Sequence, residues 1–295
     1  MNVAVVIVTF NRINLLKECI NNALNQKKVD TELVVVNNKS TDGTFEYLEG
    51  LHNRRVHCIH ERENIGGAGG FHDGVKYAFE QTNCDWILLI DDDAMIDEEY
   101  LFNLSTNIVP NFLAYAGVVK VGSSIDLSHR LMQSEGQVPV EAYRKDTFIC
   151  DIATFCGLMI SRELVKKIGY PRKDFFIWHD DTEYCYRMFR VTRILVVTNS
   201  ILNHKTIINN INNCIVRDNW KWYYGFRNEL VIYKSYHLTK QYYKKISKLV
   251  GKMLYFYIIA ILNKTYRDDY IYNAKLRWSA LIDVMKENMG KNDKY

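Results

Sequence analysis

The 295-residue sequence has no CxxC pair, no run of about 20 apolar residues, no internal repeat and no low-complexity segment. Each absence removes a class of protein. The seven cysteines, Cys19, Cys58, Cys84, Cys150, Cys156, Cys185 and Cys214, are odd in number and lack zinc-like spacing. That argues against a disulfide scaffold and for thiols buried as small hydrophobes in a reducing compartment. Residues 253–262 are apolar but too few to span a bilayer, and Lys252 precedes them directly. Residues 1–10 are apolar without a basic lead-in and meet polar Asn11 and Arg12 at once, so a buried strand of a cytoplasmic protein is expected, not a secretory leader.

What is present is enough for a full core: 48% of residues are hydrophobic and 24% charged. One large domain, or one domain with an appendage, is expected. The net charge of +4 hides an asymmetry. From residue 215 onward 16 Lys and Arg face 7 Asp and Glu, a net of +9, whereas the remainder has 22 against 27, a net of −5. A basic, aromatic tail behind an acidic body suits a surface that meets phosphates or anionic lipid. With Lys240, Lys244, Lys245 and Lys248 ahead of the 253–262 stretch, that tail reads either as a membrane-surface helix or as a core helix with a basic outer face.

Residues 3–8, 33–36 and 86–90 are apolar runs without polar alternation, the pattern of strands buried on both faces of a parallel sheet. Between them residues 15–25 place Leu15, Leu16, Cys19, Ile20, Ala23 and Leu24 on one helical face. A short helix over 44–51 follows a turn of Ser40, Thr41, Asp42 and Gly43, and a third is expected over 74–81, after a glycine-rich loop. This alternation predicts an open α/β sheet whose ligands bind beyond the carboxyl ends of the strands. Apolar runs at 115–121, 155–160 and 194–197 are expected to add mixed strands, and the pattern turns helical and basic from 219. The predicted division is 1–218 and 219–295.

Several motifs fall where such a sheet binds ligands. Asp91, Asp92 and Asp93 follow the 86–90 run; Asp91 and Asp93, two apart, suit Mg²⁺ or Mn²⁺ with positions left for diphosphate oxygens, while a solvated turn or helix cap is the structural alternative. The segment Asn64, Ile65, Gly66, Gly67, Ala68, Gly69, Gly70 and Phe71 can bring backbone N–H groups to an anion, or be a flexible loop. Trp178, His179, Asp180, Asp181, Thr182 and Glu183 set acids beside aromatics, as a carboxylate base near a sugar-binding surface or as the acidic start of a helix. His204 reads as a third metal ligand or as a structural histidine. The aromatics and cations of 220–228 suit stacking on sugars, contact with a pyrophosphate, or helix packing.

Taken in order, four motifs resemble the family 2 inverting glycosyltransferases of GT-A fold, in particular their galactofuranosyltransferase-like branch. They are Val8-Thr9-Phe10-Asn11-Arg12, Val36-Asn37-Asn38-Lys39-Ser40-Thr41-Asp42-Gly43-Thr44, the 64–71 segment and Asp91-Asp92-Asp93, with the 180–183 acids and His204 downstream. The resemblance covers about residues 3–228. It implies an α/β, GT-A type open and mostly parallel sheet flanked by helices, with a helical basic C-terminal region. It further implies a nucleotide-sugar pocket at Thr9, Asn11, Arg12, Asn37, Asn38, Asn64, Gly66, Gly67, Gly69, Gly70, Asp91 and Asp92, and a Mn²⁺ or Mg²⁺ site at Asp91, Asp93 and His204. Asp181 matches the family's catalytic base, and Trp178, His179, Asp180 and Glu183 fall on the acceptor side. Where the family commonly has Asp-Asn, this chain has Asn37-Asn38, and an amide lacks the charge-assisted hydrogen bond of a carboxylate.

The expected activity is transfer of galactofuranose from UDP-galactofuranose to a surface polysaccharide or lipid-linked glycan, at the cytoplasmic face of the membrane and without a nucleic-acid partner. dTDP-rhamnose transfer is the nearest alternative, and a non-catalytic nucleotide-sugar-binding protein is the alternative of another class. A nucleotidyltransferase would need a basic loop near the amino terminus, where Asn11, Arg12, Ile13 and Asn14 supply one cation.

Overall fold

The computed structural model describes residues 1–134, 136–205 and 216–295. The chain forms two compact units: one holds Met1–Lys173 and continues from Asp181 through the last strand, the other holds Asp174–Asp180 and the C-terminal helices. Cys214 lies outside the described residues. The six described cysteines are all free, five of them buried and Cys58 partly so.

The first unit is built on one large sheet. Strand β1 (Asn2–Thr9) lies between β2 (Asp30–Asn37) and β4 (Trp86–Asp91), with β3 (Val56–His60) outside β2, and all three pairings are parallel. The sheet continues from β4 through β12 (Leu158–Ser161), β6 (Ala114–Val121) and β13 (Ile194–His204) to β10 (Thr147–Cys150). Two short strands, β5 (Ala94–Ile96) and β7 (Ser124–Ile125), pair with β13 and β6. A separate three-stranded sheet joins β8 (Arg130–Met132), β9 (Gly136–Gln137) and β11 (Ile152–Ala153).

Along β1, Ala4, Val6 and Val8 enter one core and Val3, Val5 and Ile7 the other. Both faces are covered, which is why the run is apolar without alternation. Helix α1 (Ile13–Leu24) buries Leu16, Cys19, Ile20 and Ala23, and α2 (Thr44–Glu49) stops two residues short of the expected end. Helices α4 (Tyr100–Ser105), α5 (Arg162–Ile168) and α6 (Asp180–Met188) complete this part of the chain.

One expectation is corrected. Residues 66–71 are not a loop ahead of a helix but the opening turns of α3 (Gly66–Gln81). Two glycines of the helix serve close packing on the sheet: a Cβ on Gly70 would stand 2.5 Å from Val8 Cγ1, and one on Gly74 2.4 Å from Val6 Cγ1. Glycine lowers intrinsic helix propensity, so the loop reading follows from local preference. Burial of α3 on β1 overrides it. At the helix start, where amides lack intrahelical partners, Asn38 takes the Ile65 N–H and Asn64 the Gly66 N–H.

The second unit contains α7 (Lys221–Ser235), α8 (Thr239–Leu262) and α9 (Arg267–Lys286). Its core joins Tyr223, Tyr224, Phe226, Leu230, Leu249, Leu276 and Ala280. Among the 220–228 residues, helix packing therefore accounts for Tyr223, Tyr224, Phe226, Arg227 and Asn228, while Trp220 and Trp222 stay exposed. No helix among the described residues is long and apolar enough to cross a membrane.

Candidate active site

Three chain crossings bring the site together at the carboxyl ends of the central strands. Strand β4 ends on Asp91, and Asp92 and Asp93 follow in the turn to β5. Antiparallel pairing of β5 with β13 sets His204 opposite Ala94, and the Lys205 N–H donates to the Asp93 carbonyl at 2.8 Å. A histidine 111 positions from Asp93 is thereby held beside it: His204 Nε2 stands 3.2 Å from Asp93 Oδ1. Neither that oxygen, which is buried, nor buried His204 Nδ1 has an aligned hydrogen-bond partner among the described residues.

The β1 end supplies the other wall. Thr9 Oγ1 donates to Asp92 Oδ2 at 2.7 Å, and Arg12 Nη1 donates to Asp92 Oδ1 at 3.1 Å and Asp93 Oδ2 at 2.6 Å. Asp92 is therefore held inward by the end of β1 and by the residue that caps α1. Burial pushes the Asp92 carboxyl up to about 6, against the pull of Thr9 and Arg12. Asp91 is raised too, by burial and by the charges of Asp93 and Asp92. Asp93 is lowered: its own burial works upward, but His204 and Arg12 outweigh it. Three carboxylates within one turn thus have unlike environments: Asp91 and Asp92 hold a proton more readily than a free carboxyl, and Asp93 less readily.

The neighbouring loops are laced to each other. Asn11, in left-handed backbone (φ 55°), accepts from the Thr41 N–H at 2.7 Å, and Asp42 accepts from the Ile13 N–H at 2.9 Å. Asn37 accepts from the Ser40 N–H at 2.9 Å. Asn38 is buried and holds the entry of α3, donating to the Gly66 carbonyl at 2.9 Å and accepting from the Ile65 N–H at 2.8 Å. Asn64 Oδ1 accepts from the Gly66 N–H at 2.9 Å. Gly69 and Gly70 are buried, whereas a Cβ on Gly67 would meet nothing within 4 Å. Of Gly67, Gly69 and Gly70, Gly67 is the one with open space above it.

Downstream, α6 opens on Asp180, Asp181, Thr182 and Glu183. Asp181 Oδ1 accepts from the Thr182 N–H and hydroxyl. Glu183 is buried and receives Arg187 Nη2 at 2.9 Å and Nε at 3.1 Å. Arg187 also donates to the Ile168 and Tyr170 carbonyls, so this pair anchors the helix. In the second unit Trp178 and His179 have positive φ (65° and 66°), and Asn228 Nδ2 donates to the Ile177 and Trp178 carbonyls.

Two further residues reach the site without a sequence signal. Ligand atoms of His129, Cys156 and His204 lie within 4.8 Å of one another, and the His129 ring meets His204 edge-on with centroids 5.3 Å apart. His129 is pushed down to about 4 by burial and by Arg130, and so stays neutral. No local pattern signals either residue. Arg130, fully buried, joins them by donating to the Gly117 and Cys156 carbonyls, both at 3.0 Å.

An open, mostly parallel sheet with carboxylates and a histidine gathered at its strand ends defines a GT-A-like α/β protein. Solved structures of that architecture align with this chain. One is a Pyrobaculum calidifontis mannosyltransferase in complex with GDP-Man and Mn²⁺ (15% identity, TM-score 0.57, 97% of this chain and 87% of that one). Another is S. aureus TarS 1-349 in complex with UDP (18%, TM-score 0.56, 79% and 65%). The particular family follows from the sequence: the model described as Glycosyl transferase family 2 matches residues 4–169, and the chain belongs to that family.

The chain is 29% identical over 168 residues to the low-salt glycan biosynthesis hexosyltransferase Agl10 of Haloferax volcanii, covering 54% of this chain and 53% of that protein. It is 25% identical over 201 residues to the dTDP-rhamnosyl transferase RfbF of Shigella flexneri (63% and 62%). To the galactofuranosyltransferase GlfT1 of Mycolicibacterium smegmatis it is 26% identical over 201 residues (64% and 65%). The chain spans between about half and two thirds of the length of these relatives.

Proposed function

We propose that this chain is an inverting glycosyltransferase dependent on a divalent cation, with residues 1–218 as its catalytic domain, moving a hexose from a nucleotide sugar to a glycan hydroxyl. The observation that carries the reading is the pairing of Asp93 with His204 beside Asp91. Asp93 Oδ1 is a buried oxygen without an aligned partner, and a carboxylate pair with one imidazole fits Mn²⁺ or Mg²⁺. Asp91, Asp93 and His204 would hold the ion, whose positive charge would offset that of the departing diphosphate.

The remaining chemistry falls to the chain's own groups. Asp181 accepts the proton of the acceptor hydroxyl as its oxygen bonds to the anomeric carbon. The carbon–oxygen bond to the nucleoside diphosphate breaks on the opposite face, so the configuration inverts. Thr9 and Arg12 hold Asp92 and keep the β4 turn in place, and the open amino end of α3 at Gly67 offers amides to a phosphate.

Galactofuranose from UDP-galactofuranose is the first donor in this reading, supported by the order of the motifs and by the likeness to a galactofuranosyltransferase. dTDP-rhamnose is the second, supported by the similar likeness to a dTDP-rhamnosyl transferase. The acceptor is taken to be a lipid-linked or surface glycan met at a membrane surface, in keeping with the basic helices after residue 219.

The test is turnover of a panel of nucleotide sugars with Mn²⁺ or Mg²⁺, comparing wild type with Asp93→Ala and Asp181→Asn. One donor should be turned over, and Asp181→Asn should lower its rate by about 10²–10⁴-fold with donor binding retained. Near-wild-type turnover by Asp181→Asn would remove Asp181 as the base. Tight donor binding without turnover on any acceptor would favour a binding protein, and release of pyrophosphate would mark a nucleotidyltransferase.

A further inference from the structure

The second unit has a cavity of about 280 Å³ whose lining includes Trp222, Phe226, Lys245, Lys248, Lys252 and Arg277. Its cations are not equally matched. Lys245 is paired with Glu229, and Arg277 Nη1 donates to Asp218 Oδ2 at 2.7 Å, Asp218 also lining the cavity. Among the described residues Lys248 and Lys252 have no ion pair, although they stand one helical turn apart on α8 and repel each other. The cavity therefore keeps two uncompensated positive charges.

Its floor points to a ligand independently. Arg277 is 6% exposed, and its buried Nε has no hydrogen-bond partner among the described residues. The guanidinium lies between Phe226 and Phe256, its carbon 5.0 and 4.7 Å from the ring centres. An unpaired N–H beside a cation cluster lacks an acceptor, and a buried unmet donor is costly. We propose that this cavity binds the phosphate or diphosphate group of an amphiphilic ester, the phosphoryl oxygens meeting Arg277, Lys248 and Lys252. Trp222, Phe226 and Leu249 give the adjoining part of the ligand an apolar wall. Beyond the cavity, α8 exposes Leu254, Ile258, Ile261 and Leu262, which can cover a hydrocarbon chain. This deepens the reading of a lipid-linked acceptor and rests on it.

The test uses the full chain in EDTA without any donor, so that its result is separate from transferase activity. Sodium pyrophosphate is titrated calorimetrically into wild type, Lys248→Gln/Lys252→Gln and Arg277→Lys. The two lysines are exposed, so the double variant should melt as wild type does while binding pyrophosphate about tenfold or more weakly. Arg277→Lys keeps the charge and loses the Nε donor; it should bind more weakly than wild type. Cosedimentation with phosphatidylcholine vesicles, with and without phosphatidic acid, identifies the source. Capture only by phosphatidic acid vesicles, lost in the double variant, marks a lipid-borne phosphate. Pyrophosphate binding that needs the two lysines, without vesicle capture, keeps the site and makes its ligand a soluble phosphate ester. Equal pyrophosphate affinity in wild type and the double variant overturns the proposal, whatever transfer the protein catalyses.

Discussion

The two units place their apolar residues in opposite ways. In the first, the strands β1, β2 and β4 bury nearly every apolar side chain, and the polar groups of interest collect at the strand ends. In the second, α8 buries only Leu249 and Ala260 of its 24 residues and exposes aliphatic and aromatic ones. A sheet covered on both faces has no spare surface, so its chemistry is confined to the edges where strands stop. Helices α7, α8 and α9 have outer faces to spare, and sequence can load them with charge and apolar groups for a partner.

Packing at the β1–α3 contact offers the sharpest way to break this contrast. Replacing Gly70 by Ala improves helix propensity by up to about 1 kcal/mol. The added Cβ would nevertheless stand 2.5 Å from Val8 Cγ1, on a β-branched side chain fixed in a central strand. Overpacking of this kind costs about 1–3 kcal/mol, so net destabilisation is expected in denaturant unfolding. Val8→Ala in the same chain should recover part of the loss. A stabilised Gly70→Ala protein would show that α3 can lift from the sheet and that the first unit is looser than its burial implies.

The same contact explains what could be read beforehand. Residues 3–8, 33–36 and 86–90 announce two-sided burial by composition alone, and the observed strands contain them. Three adjacent aspartates ending such a run announce a strand-end site. Glycine at 66, 67, 69 and 70 is ambiguous, because a flexible loop and a helix pressed on a sheet both call for the smallest side chain. For Gly70 it is Val8 across the interface that decides it, as Val6 does for Gly74 one turn on. His204 could be nominated from the motif order, but its place beside Asp93 depends on the register of β5 on β13, which no local spacing encodes. His129 and Cys156 come to the site through strands and turns far from it in sequence. Residue chemistry is legible one element at a time, whereas convergence is a property of the pairing.

A smaller effect is expected from pH in the second unit. Glu229 is lowered from its ordinary value of 4.5: burial acts upward, but Lys245 and the Tyr233 hydroxyl, 2.7 Å away, outweigh it. A carboxylate whose folded value is depressed adds stability above its unfolded value and loses it as pH falls through the folded one. The unfolding midpoint of wild type should therefore fall below about pH 4.5 relative to Glu229→Gln. At neutral pH wild type should be the more stable of the two, with the gap closing in acid. A gap that persists at low pH would assign Glu229 a packing role instead.

The smallest effect should come from Ile258, 57% exposed on α8. In the first unit a buried aliphatic residue such as Leu89, fully enclosed, would cost about 2–5 kcal/mol on truncation to Ala. Ile258→Ser removes a comparable apolar group from a surface already in water, so equilibrium unfolding of dilute protein should change by no more than about 0.5 kcal/mol. A loss of 1 kcal/mol or more that grows with protein concentration would mean that this face is already covered by a second copy, since association stabilises by mass action. A small change at every concentration would leave the face open, and the stability of the isolated chain would then owe nothing to the residues that most distinguish its second unit.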